Sequence, residues 1–102
     1  MNRVIVSYQV KPEHAARNEE LVREVYEELD REQPEGLRYA TFKLDDGVTF
    51  IHIASNESGE QTSPLVGIAA FKRFQEGLPE RAEQPSTRSQ LIEIGSFRFF
   101  ES

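Results

Sequence analysis

His52 is the residue of this sequence best suited to acid–base chemistry. It lies in the run Phe50-Ile51-His52-Ile53, whose apolar neighbours predict a strand that buries the imidazole at least partly. Histidine titrates nearest to neutral pH and is the commonest general base in enzymes. The same position also suits a structural histidine whose ring nitrogens bond a neighbour such as Thr41. Both interpretations remain open: a catalytic base or a satisfied core histidine.

A second group of side chains could bind a substrate alongside this histidine. The hydroxyls of Tyr39 and Thr41 could hydrogen-bond a ligand, although a core tyrosine with a polar tip would look the same. Ser7 and Gln9 lie on the less apolar face of the first predicted strand and could line a cavity. Small polar residues at a dimer seam would give the same pattern. With one aromatic residue, Phe50, these four form the predicted substrate-binding set.

Composition removes several classes of function. The chain contains no cysteine, which excludes disulfides, thiolate metal sites and thiol nucleophiles. Its two histidines show no metal-ligand spacing and its glycines form no phosphate-binding loop, so no metal or cofactor is predicted. The net charge of -6 argues against nucleic-acid binding. No apolar run reaches membrane length and no signal-peptide pattern opens the chain, so the expected location is the cytoplasm.

The elements that would position these residues follow the order β-α-β-β-α-β. A length of 102 residues predicts one domain, residues 1–102. Apolar alternation and helical spacing predict a strand over Val4–Val10, a helix from Pro12 that ends at Pro34 and Gly36, a hairpin over Leu37–Ala54, a helix over Leu65–Glu76 interrupted by Gly77 and Pro79, and a last strand over Leu91–Phe100. The fold class is therefore α+β and ferredoxin-like, a four-stranded antiparallel sheet with both helices on one face.

The hairpin leaves its register open. Its turn segment, LDDGV, fits a two-residue turn or a three-residue loop that ends at Gly47. The two-residue turn places Thr41 opposite His52. The three-residue loop shifts the pairing by one residue and places His52 on the face of Ala40. The register decides whether the histidine points toward the helices or toward the open face.

The open face of the sheet predicts a dimer. Two helices cover one face only, and the other would expose Ile5 and half of the apolar residues of the third strand. An exposed apolar patch of this kind marks an interface or a ligand groove. We expect a homodimer that forms through the open sheet face and the C-terminal strand, encloses a cavity and uses Phe97, Phe99 and Phe100 to reach the partner.

Three segments give the chain a family resemblance over nearly its whole length. They are VIVSYQVKPEHAARNEELV, EGLRYATFKLDDGVTFIHIA and FKRFQEGLPER. With them the chain resembles the antibiotic biosynthesis monooxygenase (ABM) group of the dimeric α+β barrel proteins. The resemblance implies a homodimer with helices outside and a cavity over each sheet. Some members are cofactor-free oxygenases of aromatic polyketide-like substrates, relatives degrade haem, and many have no known activity.

The departures from the family narrow the expected function. Haem-degrading relatives use a first-strand Asn, a Trp and a helix His. This chain has no Trp, and its first strand offers Ser7 and Gln9 instead of the Asn. We therefore expect a cofactor-independent monooxygenase, an oxidoreductase with His52 as its base, that acts on a small aromatic or apolar substrate in a cavity over the sheet. The alternatives are a non-catalytic small-molecule-binding homodimer and a structural homodimer, and the sequence leaves open whether the protein is an enzyme.

Overall fold

The chain folds in the predicted order, β-α-β-β-α-β. A computed structural model describes residues 2–99. Its elements are β1 (Asn2–Gln9), a 3-10 turn (Pro12–His14), α1 (Ala15–Glu32), β2 (Leu37–Lys43), β3 (Thr49–Asn56), a second 3-10 turn (Pro64–Gly67), α2 (Ala69–Arg81) and β4 (Thr87–Gln90). The strands form one antiparallel sheet in the order β2-β3-β1-β4. The ferredoxin-like α+β fold predicted from the sequence is confirmed.

Both helices pack on the same face of this sheet. Leu21, Val22 and Val25 of α1 are buried, as their helical spacing predicts. They meet the sheet residues Tyr8 and Phe50 in one apolar core, to which α2 adds Ala70 and Phe74. No helix within residues 2–99 has the length and the apolar character that a membrane crossing requires.

The hairpin adopts the register in which Thr41 lies opposite His52. Because cross-strand partners share a face, His52 points toward the helices together with Tyr39. Val6 lies on the same face. It belongs to β1, which pairs with β3 on the side opposite β2, and it is the partner of His52 there.

The turn that produces this register is longer than either predicted turn. The last hairpin hydrogen bond joins Leu44 N to Thr49 O, which leaves four residues between them. Gly47 has a φ of 79°, but Asp46 does not share this left-handed conformation, which a two-residue turn would need. Instead the Asp46 carboxylate accepts the backbone N–H groups of Val48 and Thr49, both at 2.9 Å. A side chain therefore organises the loop, and the spacing of glycine alone could not reveal that.

The second helix runs later along the chain than predicted. The second helix is present, but the expected bounds, residues 65–76, are wrong, because α2 spans Ala69–Arg81 and includes both supposed interruptions. Pro79 lies in the last turn, where its missing N–H removes a single hydrogen bond. Gly77 makes room for Arg81, since a Cβ there would lie 2.5 Å from the guanidinium.

The last strand was also predicted in the wrong place. The strand is β4, whose Gln90 pairs with Val4, and no strand forms over residues 91–99. β1 begins at Asn2, so an antiparallel partner has only two more positions after Gln90 before it runs past the end of β1. The alternating residues beyond that point are exposed: Ile92 by 86%, Ile94 by 96%. The predicted strand end, Phe100, lies outside the described residues.

The face of the sheet away from the helices is partly apolar, as expected. Ile5, Ile51 and Ile53 lie on it, whereas Phe50 points into the core. Phe42 on the same face is 48% exposed. No element within residues 2–99 packs across this face.

Candidate active site

A cavity of about 310 Å³ lies between the sheet and α2. The sequence pattern predicts a cavity on the open face, between two copies of the sheet; that cavity involves a partner and stays a prediction, whereas this one lies on the helix side of a single chain. Its walls are mainly apolar and come from β1, β3, α2 and the second 3-10 turn: Val4, Val6, Ala54, Leu65, Phe71, Phe74 and Leu78. Its size lies at the lower end of the range for pockets that hold small organic ligands.

The cavity has a buried floor and an open mouth. Tyr8 and His52 are buried at the floor, and Tyr39 lies beside them. The lining residues at the mouth are exposed: Asn2, Val66, Gln75, Ser86 and Arg88. A ligand could therefore enter past polar side chains and reach a floor where aromatic hydroxyls and an imidazole meet.

His52 is the centre of the floor. Only 6% of the residue is exposed. Its Nε2 lies 2.7 Å from the Tyr8 hydroxyl, and its Nδ1 lies 2.6 Å from the Tyr39 hydroxyl and 3.2 Å from Thr41 Oγ1. Both ring nitrogens therefore have hydrogen-bond partners, and the ring also packs against Phe74 with 5.2 Å between centroids.

The direction of these hydrogen bonds is determined by Arg81. A guanidinium can only donate, so Arg81 Nε donates to Asn18 Oδ1 at 3.0 Å. This orients the amide, and Asn18 Nδ2 donates to the Tyr8 hydroxyl at 2.9 Å. Tyr8 then uses its own proton to donate to His52 Nε2. The neutral imidazole must carry its proton on Nδ1 and donate it to Tyr39.

Tyr39 is the end of this directed chain. Its hydroxyl oxygen accepts from His52, so its proton is available to Thr41 or to a ligand in the cavity. Thr41 Oγ1 has a further partner in the Tyr26 hydroxyl, at 2.8 Å. Within residues 2–99 every buried side-chain nitrogen or oxygen has a hydrogen-bond partner. The ligand-free network is thus complete, and Tyr39 is the member that could turn its donor toward a ligand.

Burial keeps the imidazole and the two tyrosine hydroxyls at the floor neutral near pH 7. It lowers the pKa of His52 to about 4 and raises the pKa values of the Tyr8 and Tyr39 hydroxyls. A general base works best when its pKa lies near the operating pH. His52 is therefore better placed to orient Tyr39 than to remove a proton itself, and its role as the base stays a prediction.

The predicted substrate-binding residues divide between the two faces of the sheet. Tyr39 lines the cavity and Thr41 lies one hydrogen bond from its floor. Phe50 stacks on Tyr8, 5.7 Å between ring centroids, without lining the cavity. Ser7 and Gln9 lie on the opposite face of β1 and do not contribute to it. A substrate-binding role for any of them stays a prediction.

Three members of the network were missed by sequence reasoning. Tyr8 sits in the apolar alternation of β1 and looks like a core residue. Asn18 occupies the buried stripe of α1 with no exposed surface, and an amide in such a stripe is a detectable signal. Arg81 gave no signal, because its burial depends on the space above Gly77. No three His, Asp or Glu side chains within residues 2–99 converge to form a metal site.

Comparisons with known proteins agree on the fold. No family model matches the sequence, and no curated protein matches it. Among solved structures, an antibiotic biosynthesis monooxygenase is 23% identical with a TM-score of 0.71, covering 93% of this chain and 100% of its own. A putative antibiotic biosynthesis monooxygenase from Nitrosomonas europaea is 14% identical with a TM-score of 0.75, at coverages of 93% and 100%.

A third structure has a stated activity. SnoaB, a cofactor-independent oxygenase from Streptomyces nogalater in the form of a mutant, is 12% identical to this chain with a TM-score of 0.68. The similarity covers 95% of this chain and 96% of SnoaB. At these identities the similarity establishes architecture rather than activity. The resemblance predicted from the sequence is confirmed at that level: this chain has the α+β fold of the antibiotic biosynthesis monooxygenases.

Proposed function

We propose that the protein is a cofactor-independent monooxygenase that acts on a small aromatic or apolar substrate in the helix-side cavity. One observation carries the proposal: a mainly apolar cavity ends at the Tyr39 hydroxyl, which a buried network orients. The fold shared with a cofactor-independent oxygenase makes this class of reaction the natural one to consider. The substrate would be a phenol or an enolisable carbonyl compound.

Tyr39 would stabilise the anion of such a substrate. The tyrosine accepts a hydrogen bond from His52 Nδ1 and donates its own proton to the phenolate or enolate oxygen. A hydrogen bond to the charged form lowers the pKa of the substrate hydroxyl. Preorganised donors in a water-poor site contribute strongly to this kind of stabilisation. In this scheme His52 positions Tyr39, and the substrate proton leaves through the open mouth.

The electron balance of the reaction needs no resident redox group. Dioxygen is the oxidant and the electron-rich anion supplies all four electrons. One oxygen atom enters the product, and the other leaves as water with two hydrogens from the substrate. The protein contributes orientation, exclusion of bulk water and stabilisation of the anion.

We further propose that the working form is a homodimer. The apolar segment 91–99 has no strand beside it, and Ile5, Ile51 and Ile53 lie on an uncovered sheet face. A second copy offers complementary surfaces for both. Burial of several hundred Å² of apolar surface at ~25 cal/mol per Å² contributes many kcal/mol to association, before entropy costs.

A non-catalytic small-molecule-binding homodimer is the second candidate. It is favoured by the low pKa of His52, about 4, and by the complete hydrogen bonding of the floor. Such a floor could recognise a ligand oxygen without promoting a reaction. The two candidates share the cavity and differ only in what happens after binding.

Oxygen consumption distinguishes the candidates. The purified protein is given a panel of naphthols and enolisable aromatic ketones, with binding and oxygen uptake measured in parallel. We expect uptake that falls at least tenfold in Tyr39→Phe. The matched control is Tyr26→Phe, which removes a hydroxyl that does not line the cavity. If compounds bind but none is oxidised, the monooxygenase proposal is wrong and the binding protein remains.

A further inference from the structure

Among the described residues, 2–99, Arg88 is the only charged side chain that lines the cavity. This contrasts with the chain as a whole, which has 18 acidic and 12 basic residues and a net charge of -6. No aspartate or glutamate in the described part of the chain contributes to the lining, and His52 is neutral near pH 7 because burial lowers its pKa. The cavity of an acidic protein thus presents a single positive charge, at its exposed mouth, to whatever occupies it.

The sheet register places Arg88 in line with the floor. Arg88 pairs with Val6, and Val6 pairs with His52 on its other side. Arg88 and His52 are therefore two strands apart on the same face, roughly 10 Å at the usual strand spacing. Val6 gives the surface between them an apolar character. The cavity offers a cation at one end, an apolar wall in the middle and the Tyr39 hydroxyl at the other end.

The guanidinium of Arg88 is available for a ligand. It forms no ion pair or hydrogen bond with another side chain within residues 2–99. Its sequence neighbours Thr87 and Ser89 are neutral. A guanidinium presents a planar fork of donors that matches a carboxylate in a bidentate arrangement. Because this fork of donors lies at one end of an apolar cavity, it determines which end group a bound ligand carries.

We propose that the natural ligand of this cavity is an amphipathic aromatic acid, with its carboxylate on Arg88 and a hydroxyl or carbonyl oxygen at Tyr39. The inference rests on the proposed function for its Tyr39 end. It adds the chemical class of the substrate: a planar apolar body roughly 10 Å long, acidic at one end and oxygenated at the other. The residue that determines this specificity is Arg88.

Isosteric probes test the acid requirement by calorimetry. The probes are 6-hydroxy-2-naphthoate and its neutral analogue 6-hydroxy-2-naphthamide, which differ in charge and little in shape. We expect the acid to bind about tenfold more tightly, the ratio that one partly solvated charged contact provides. The preference should shrink as salt rises from about 0.05 M to about 0.5 M, because exposed charges are screened.

Substitutions assign the preference to a residue. Arg88→Gln should bring the two affinities together, and Arg88→Lys should retain part of the difference. Arg73→Gln is the matched control, since this exposed arginine of α2 does not line the cavity. Equal melting temperatures of the variants, measured without ligand, show that the exposed position 88 leaves folding unchanged.

Each of the other possible results contradicts a different part of the proposal. If acid and amide bind equally to the native protein, the acid proposal is wrong and the cavity proposal is unaffected. If the preference survives Arg88→Gln, another group recognises the acid and the role of Arg88 is wrong. If neither probe binds, the ligand-binding cavity itself is contradicted, and with it the proposed function.

Discussion

A fall in pH from 7.5 to 5.0 should destabilise this protein through His52. In the folded protein burial lowers the pKa of this imidazole to about 4, whereas the unfolded chain has an ordinary value near 6.5. The unfolded state therefore binds more protons throughout this interval. The buried neutral form of His52 therefore stabilises the fold fully above about pH 6.5, and this stabilisation is lost as the pH falls toward 4.

The size of the effect follows from the two pKa values. With values of about 4 and about 6.5, the free energy of unfolding falls by about 2 kcal/mol between pH 7.5 and pH 5.0. Carboxylates such as Asp46 and Glu57 add little over this interval, because in the unfolded chain they have ordinary pKa values of 3.8 and 4.5 and take up protons only near its lower end. With a urea dependence of about 1–1.5 kcal/mol per M, the midpoint should shift by about 1.3–2 M.

Urea titrations at several pH values measure this shift. Tyrosine fluorescence can follow unfolding, because the chain has three tyrosines and no tryptophan. Protein concentration must stay fixed, since association would contribute to stability. The test variant is His52→Gln, in which the amide can still accept from Tyr8 and donate to Tyr39 but does not titrate. The control is His14→Gln, which changes the other histidine of the chain.

We expect His52→Gln to flatten the pH dependence and His14→Gln to preserve it. A native protein whose midpoint stays constant from pH 7.5 to 5.0 would refute the low pKa of His52. A slope that survives in His52→Gln would assign the effect to other groups. Either result would remove the argument that the floor of the cavity is neutral.

The hydrogen-bond network, the second helix and the open sheet face each give one further prediction. Tyr8→Phe leaves two buried polar groups without a partner, and the free energy of unfolding should fall by about 2–4 kcal/mol in urea titrations; an unchanged midpoint contradicts the network. Gly77→Ala should cost about 1 kcal/mol although alanine favours helices, because the new Cβ displaces Arg81; a stabilised variant contradicts this packing. Light scattering should give twice the chain mass of 11.7 kDa, and a monomer at micromolar concentration would contradict the homodimer.

The sequence predicted the fold because local signals and topology agree over most of the chain. The alternation in β1, the apolar spacing in α1 and the hairpin all specify elements that pack on each other. The prediction of the last strand was wrong for a physical reason. Residues 91–99 have strand-like alternation, but β1 begins at Asn2 and leaves most of them without a partner strand. Apolar alternation shows that a segment can form a strand, but a strand forms only where a partner strand lies beside it.

The candidate site could be predicted only in part. His52 stands out as an imidazole in an apolar strand, and Tyr39 and Thr41 share its face once the register is known. The register was open because the Asp46 carboxylate, rather than a standard two-residue turn, organises the loop. The direction of the hydrogen bonds depends on Arg81, which reaches Asn18 across 63 positions of sequence. Contacts of that range leave no local pattern.

The tautomer of His52 decides whether Tyr39 can donate a proton into the cavity. Long-range ¹H–¹⁵N correlation spectra of the folded protein at pH 7 distinguish a protonated ring nitrogen from an unprotonated one. The Arg81–Asn18–Tyr8 chain predicts a neutral ring with its proton on Nδ1 and an unprotonated Nε2, so that Tyr39 keeps a proton to donate into the cavity. A proton on Nε2, or a doubly protonated ring at pH 7, would contradict the account.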